Sequence, residues 1–224
     1  MRRVAVLRCG VVDYHVIFDL MKDLQKKRIS EEIGDTLIFV QHPEVVTIGP
    51  KAVREEVLVE GYPTIKTDRG GGVTWHGPGQ LVVYPIIKWK TSEQSVREVI
   101  GKLEDWAIKA MGECGIPSYK DPEMQGAWVD GHKVCSIGLS FLHWVSRHGM
   151  SINIDTPENR VEDLECCGIQ AGKHTSLSKL GYVNDEDGKP IDVNRIERSL
   201  LRTCEESLGR TPSEPIDWIP EAVV

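Results

Sequence analysis

Apolar residues recur along this chain at two periods, one helical and one extended. Tyr14 to Lys27 sets Ile17, Leu20, Met21 and Leu24 on one helical face, with Asp13 positioned as the N-cap. Ser95 to Glu113 carries the longest helical stripe: Val96, Val99, Ile100, Leu103, Trp106, Ala107, Ala110 and Met111, ended by Gly115 and Pro117. Val193 to Leu208 predicts a final amphipathic helix. Thr175 to Leu180 predicts a short one, capped by Thr175 and stopped by Gly181. Extended segments fall between these helices. Val4 to Leu7, Thr36 to Gln41 and Val45 to Ile48 read as strands, the last two around a turn at His42-Pro43. Gln80 to Ile87 is an almost unbroken apolar run, the pattern of a strand buried on both faces. Ala127 to Val129 and Lys133 to Phe141 predict a hairpin around Asp130-Gly131, and Trp144 to Asp155 predicts a third strand. The acidic stretch from Asn184 to Gly188 is a solvated loop. Strands clustered around long helices, without strict βαβ alternation, predict an α/β or α+β fold with a mixed sheet flanked by helices. We expect one domain over residues 1–224.

One stretch departs from both periods. Arg69-Gly70-Gly71-Gly72-Val73-Thr74-Trp75-His76-Gly77-Pro78-Gly79-Gln80 holds five glycines and a proline, and leads straight into the apolar core strand. Glycine reaches positive φ and lets a backbone approach a ligand closely. Arg69 adds a fixed cation, Thr74 a hydroxyl, and His76 a group that titrates near neutrality. A glycine-rich loop anchored on a core strand predicts a binding site on a rigid scaffold.

Charge and cysteine usage narrow the function classes. A net charge of −7 is the wrong sign for a general nucleic-acid binder, which needs a basic footprint. The basic cluster Lys22, Lys26, Lys27 and Arg28 reads as a solvated helix face. The cysteines at 9, 114, 135, 166, 167 and 204 show no CxxC pair and no zinc rhythm, so a reducing cytoplasm is expected rather than a disulfide framework. His42, His143, His148, His174 and Cys135 fit no standard zinc spacing, and no metal is expected. No apolar run is long enough to span a bilayer, and the N-terminus lacks the apolar core of a signal peptide.

Two residues stand out for chemistry. Cys167 follows an acidic stretch and precedes Gly168 in loop-like sequence, where a substrate can reach a thiolate; the alternative is an inert buried thiol. Lys133, taken alone, reads as an exposed lysine beside a hairpin turn. His76 either positions a reacting group or satisfies backbone groups beneath the loop, and Arg69 reads as a loop organiser before a phosphate ligand.

The string RGGGVTWHGPGQ resembles the signature of the lipoyl(octanoyl) transferases, also called lipoate-protein ligase B. That pattern is roughly RGGxxTxHGPGQ, followed by an apolar strand containing Tyr-Pro, here Tyr84-Pro85. Phe39-Val40-Gln41-His42-Pro43 and Thr47-Ile48-Gly49 are similar to the family's first strand and turn. Val129 to Leu139 resembles its second motif, His148 to Asn153 its third, and Cys167-Gly168 stands at the spacing of its fourth. The first 30 residues or so and the tail after Leu180 are poorly covered by the resemblance. Cys166 is a departure, standing where many members carry proline.

The resemblance implies the fold of the biotin and lipoate protein ligases and an octanoyltransferase activity without a cofactor. It implies Cys167 as nucleophile and Lys133 as the residue that lowers its pKa. It implies substrate contacts from Arg69, Gly70, Gly71, Gly72, Val73, Thr74, Trp75 and His76, from Ser136-Ile137-Gly138, and from Gly149-Met150-Ser151. The implied donor is octanoyl-acyl carrier protein. The implied acceptors are apo lipoyl domains of 2-oxoacid dehydrogenase complexes and the glycine cleavage H protein, with neither nucleic acid nor membrane as partner. The alternatives are an ATP-dependent lipoate or biotin ligase of the same fold and a non-catalytic module that binds lipoyl domains or acyl carriers.

Overall fold

The computed structural model describes residues 2–164 and 172–220. Its elements follow in chain order. β1 (Arg2–Val11), α1 (Tyr14–Ile29), β2 (Asp35–Gln41), β3 (Val45–Ile48), α2 (Pro50–Arg54), β4 (Thr64–Lys66), β5 (Val73–His76) and β6 (Gln80–Ile86) form the first half. α3 (Val96–Gly112), β7 (Ala127–Val129), β8 (His132–Leu142), β9 (Val145–Asn153), α4 (Val193–Leu208), β10 (Arg210–Pro212) and β11 (Ile216–Asp217) form the second. Among the described residues, eight strands form a mixed sheet in the order β10-β1-β2-β6-β9-β8-β7, with β11 also on β1. Three more, β4-β3-β5, form a small second sheet.

All seven residues of β6 are buried because both of its faces are covered. Leu81 and Val83 point into the cluster beneath α3 and α4, beside Val99, Leu103, Trp106, Ile196 and Leu200. Val82, Tyr84 and Ile86 point the other way, into the cluster formed with Ile17 and Met21 of α1. This double burial gives the strand its unbroken apolar pattern. The small sheet has a core of its own, in which Val46, Ala52, Val73 and Trp75 meet Val161 and Leu164.

Helices α1, α3 and α4 fall where their stripes place them, and the cap expected at the start of α1 forms, Asp13 accepting from the His15 amide; Ser95, read as the first residue of its helix, is instead its N-cap and accepts from the Glu98 amide. The β7–β8 hairpin turns at Asp130 and Gly131, both at positive φ. Four other local expectations are corrected. Thr175 to Leu180 contains only a short 3-10 turn at Ser178–Leu180, and the Thr175 hydroxyl donates to Glu162 instead of capping it. Trp144 belongs to the turn before β9, not to the strand: His143 and Trp144 both take positive φ there, without the Asn or Gly that marks such turns. Inside the glycine run, Val73–His76 is a strand rather than loop, because β3 offers it an antiparallel partner. β1 extends well beyond Val4–Leu7, and the short β10 and β11, which lack an apolar run, pair parallel to it.

Asp35 locks the edge of the large sheet. It is 3% exposed and accepts from Arg28 Nε at 2.7 Å, Arg210 Nε at 3.3 Å and the Lys88 amide at 3.0 Å. Removing one partner of a buried charge cluster strands the others. Asp35→Ala should therefore cost about 3 kcal/mol, read as a lowered urea midpoint at unchanged slope; a loss below about 1 kcal/mol would mean that water already solvates the two guanidinium groups.

Candidate active site

The glycine run is held in place by a buried arginine. Arg69 is 6% exposed. Its Nη2 donates to the Thr47 and Gly72 carbonyls at 2.8 and 3.0 Å, its Nη1 to the Gly70 carbonyl at 3.1 Å, and its Nε to Thr47 Oγ1 at 3.1 Å. The run thus folds back over β3. It also lies against β8, where the Gly70 amide donates to the Leu139 carbonyl at 2.8 Å. Space at that crossing is tight: a Cβ on Gly138 would meet the Gly70 carbonyl oxygen at 2.8 Å, and one on Gly49 the Gly71 carbonyl oxygen at 2.4 Å. Gly71 itself sits at φ 94°, a conformation open to glycine.

Where the two sheets face each other they leave a pocket of about 310 Å³, solvent at its mouth included. Arg69, Thr74 and His76 come from the glycine run, Ser136, Ile137 and Gly138 from β8, and Gly149, Met150 and Ser151 from β9. The β8 and β9 motifs share one wall because Ser136 pairs with Ser151 and Gly138 with Gly149 across the β8–β9 ladder, and the glycine run, sixty or more residues earlier in the sequence, meets them there. Gly70, Gly71 and Gly72 shape the run behind this wall. Val73 and Trp75 point away, into the small-sheet core, since alternate residues of β5 face opposite sides.

The pocket also recruits Tyr14, Val82, Tyr84 and His148, which the sequence analysis did not place there. Tyr14 lies one turn before Ile17 on the inward face of α1, and Tyr84 alternates with Val82 on β6, so both were accessible to a strict reading of period. His148 was not, because its backbone breaks the alternation. At φ 60° its ring stacks on Phe18, at 5.6 Å between centroids, although the preceding Arg147 also lies over Phe18. Its Nε2 donates to Asp68 Oδ1 at 2.8 Å, and Asp68, which also pairs with Arg147, is held well below the usual carboxylate range chiefly by the His148 hydrogen bond.

The three histidines near the pocket are kept neutral. Burial is the largest cause of the lowered pKa of each of His42, His76 and His148. His42 Nδ1 donates to the Val12 carbonyl at 2.7 Å, so its Nε2 accepts from the Tyr84 hydroxyl at 2.9 Å. Burial also pushes the Tyr84 hydroxyl well above its ordinary value, so it remains a donor.

Lys133 lies on β8 at 8% exposure. Its amide donates to the Lys173 carbonyl at 2.8 Å and its carbonyl accepts from the Thr175 amide at 3.2 Å. Gly126, at φ 129°, makes room for it: a Cβ there would meet Lys133 Cε at 2.6 Å and the Cys135 carbonyl oxygen at 2.2 Å. Cys167 and Cys166 lie outside the described residues. The chain on either side is anchored: Leu164 packs in the small-sheet core with Trp75, and Gly172 to Thr175 runs beside Lys133. The four described thiols, Cys9, Cys114, Cys135 and Cys204, are buried, and burial pushes Cys9, Cys135 and Cys204 up to about 12.

The family model for the lipoyl protein ligase A/B catalytic domain matches residues 13–205, a span that includes α1 and most of α4, so the similarity reaches further toward both ends than the motifs suggest. An octanoyltransferase of Syntrophobacter fumaroxidans is 33% identical over 207 residues, covering 89% of this chain and 88% of its own length. A lipoate-protein ligase A solved with ATP bound shares the fold, with a TM-score of 0.70 at 13% identity over 96% of this chain and 89% of its own. The biotin protein ligase of Aquifex aeolicus does so more distantly, with a TM-score of 0.53 at 13% identity over 93% of this chain and 70% of its own. The expected mixed-sheet fold of the biotin and lipoate ligases is thereby borne out. Among the described residues no helix is long and apolar enough to cross a membrane.

The neutral histidines make stability depend on pH with a definite sign. His42 has its pKa lowered to about 4, mainly by burial, against ~6.5 in the unfolded chain. Between these values the unfolded state binds more protons, so the full contribution is present above ~6.5 and is lost as pH falls toward the folded value, about 3 kcal/mol in all. Urea midpoints measured across that interval should drop less steeply in His42→Gln than in the parent. Parallel curves would show that His42 titrates normally in the folded protein.

Proposed function

The chain belongs to the lipoyl protein ligase A/B catalytic domain family, and on that premise we propose that it is an octanoyltransferase acting in protein lipoylation. It takes an octanoyl group from octanoyl-acyl carrier protein and delivers it to a lysine of an apo lipoyl domain, as found in 2-oxoacid dehydrogenase complexes and the glycine cleavage H protein. This is the first step of lipoate assembly on the protein. The observation that carries the reading is the shared pocket, in which the glycine run meets two strand motifs and one of those strands also carries Lys133. Val82, Ile137 and Met150 give it apolar walls. Each buried CH₂ of an acyl chain contributes ~0.8 kcal/mol, enough to hold a medium-length chain and to sense its length.

The chemistry follows from the thioester donor. Cys167 attacks the carbonyl as a thiolate, the tetrahedral intermediate collapses, and the carrier's pantetheine thiol leaves with a proton. The octanoyl group then rests on Cys167 as a thioester. The ε-amine of the acceptor lysine attacks this carbonyl, loses a proton, and expels the Cys167 thiolate to leave an amide. Two easier steps replace one difficult one. The Lys133 ammonium stabilises the thiolate and serves as the group that lends and recovers the proton. A thioester-to-amide exchange runs downhill without ATP. The four described thiols, all buried, offer little competition for the acyl group, and they suit a reducing cytoplasm.

The fold is shared with a ligase solved with ATP bound, which gives a definite second reading. The two separate in a transfer assay with octanoyl-acyl carrier protein and an apo lipoyl domain. Octanoyl amide should form without nucleotide, and free octanoate with ATP should not replace the thioester. Formation only from free octanoate and ATP would establish a ligase instead. Within the transferase, Lys133→Met should slow transfer by about 10²- to 10⁴-fold, the range for loss of a proton-transfer group, and should raise the pH at which iodoacetamide alkylates Cys167. An unchanged alkylation profile would remove Lys133 from thiol activation.

A further inference from the structure

His76 contacts no substrate that sequence alone could name, yet its orientation is fixed by a chain of amides leading away from the pocket. Asn153 Nδ2 donates to the Thr175 carbonyl at 3.0 Å, which turns Asn153 Oδ1 toward Gln80. Gln80 Nε2 donates to that Oδ1 at 2.8 Å and to the Trp75 carbonyl at 3.0 Å. Both amide hydrogens of Gln80 are thereby committed, so the atom it presents to His76 is Oε1, 2.7 Å from Nδ1. An amide oxygen can only accept, and Nδ1 must carry the proton. Nε2 is left with a lone pair. Its near neighbour Thr47 Oγ1, at 3.4 Å, donates its one hydrogen to the Thr74 carbonyl at 3.2 Å, and Thr47 Oγ1 itself accepts from Arg69. His76, Gln80 and Asn153 are all buried, so water does not offer alternatives to these bonds.

We propose that Gln80 and Asn153 are positioning residues that lock His76 as its Nδ1–H tautomer, giving the pocket a fixed, uncharged hydrogen-bond acceptor at Nε2. The lock is joined to the β8 backbone at Lys133. Thr175, which receives the Asn153 bond, donates its amide to the Lys133 carbonyl at 3.2 Å, and it follows closely on residues 165–171. On the octanoyl-transfer reading, the acceptor's partner is an N–H of the incoming lysine amine. Holding that hydrogen leaves the amine's own lone pair free for the thioester carbonyl. An imidazolium or an Nε2–H tautomer at the same place donates instead of accepting, and repels or misorients the amine. Burial, and beside it the Arg69 guanidinium, disfavour a positive charge on His76.

Long-range ¹H–¹⁵N correlation spectra of the full-length protein, labelled at histidine, report tautomers directly. His76 is assigned by the resonance missing from His76→Gln. The parent should show a protonated Nδ1 and an unprotonated Nε2, unchanged across the range in which a free imidazole titrates. An Nε2–H pattern, or an ordinary titration, overturns the proposal without any kinetic measurement, and does so whether or not octanoyl transfer is the reaction. Gln80→Leu should leave His76 as a mixture of tautomers and lower kcat for transfer to a lipoyl domain at least tenfold, with KM for octanoyl-acyl carrier protein within about twofold, because one oriented hydrogen bond is lost from the transition state alone. Gln80→Glu keeps an acceptor opposite Nδ1 and should restore the Nδ1 proton. If Gln80→Leu keeps the parent tautomer, or loses it with no change in kcat, the positioning role is wrong.

Discussion

The two sheets of this protein meet at a crossing organised by one buried guanidinium. Arg69 gathers the carbonyls of Thr47, Gly70 and Gly72 and the Thr47 hydroxyl, and so fastens the glycine run to β3. The same run is laid on β8 by the Gly70 amide. Every glycine at this crossing follows from the approach it permits: side chains at positions 49, 70 and 138 would all press on backbone oxygens. The pocket is what remains between the sheets once that contact is made. Without it, the glycine run loses its hold on β3, and Thr74 its fixed relation to the β8 motif, however well each sheet folds.

The polar wall of the pocket is built on the same logic. Buried imidazoles are acceptable when they are neutral and each hydrogen has an acceptor. His42 meets this with the Val12 carbonyl and Tyr84 hydroxyl, and His76 with Gln80. An apolar acyl chain beside Val82, Ile137 and Met150 therefore passes neutral imidazoles, while the fixed cation of Arg69 is bound up with backbone carbonyls. A medium-chain thioester, apolar along its length and polar only at its carbonyl, fits that division.

Much of the scaffold was legible in the sequence because it obeys simple periods. The stripes of α1, α3 and α4 and the run of β6 record which faces are covered, and covering is a matter of hydrophobic pattern. The glycine run announced a site because five glycines, an arginine and a histidine in twelve residues serve no core. What escaped depends on pairing or on backbone conformation. Val73–His76 becomes a strand through β3, a partner remote enough that no local signal marks it. Thr175 carries a capping residue's chemistry but spends its hydroxyl on Glu162. His143, Trp144 and His148 take positive φ without glycine, so the turn before β9 and the aim of the His148 ring were invisible. Tyr14 and Tyr84 were overlooked as pocket residues because each also reads as ordinary core. The sequence resemblance proved a sound guide to family and fold, while the roles assigned to Cys167 and Lys133 come from that resemblance and are tested by the reaction itself.

That test is a mass measurement. Incubating the protein with octanoyl-acyl carrier protein, in the absence of any acceptor, should raise its intact mass by one octanoyl group. Mapping the digest should place that group on Cys167 in a hydroxylamine-labile thioester, and addition of an apo lipoyl domain should discharge it. An unmodified protein that still transfers octanoyl, or an adduct on Cys166 or Cys135 that discharges at the rate of turnover, would contradict the account.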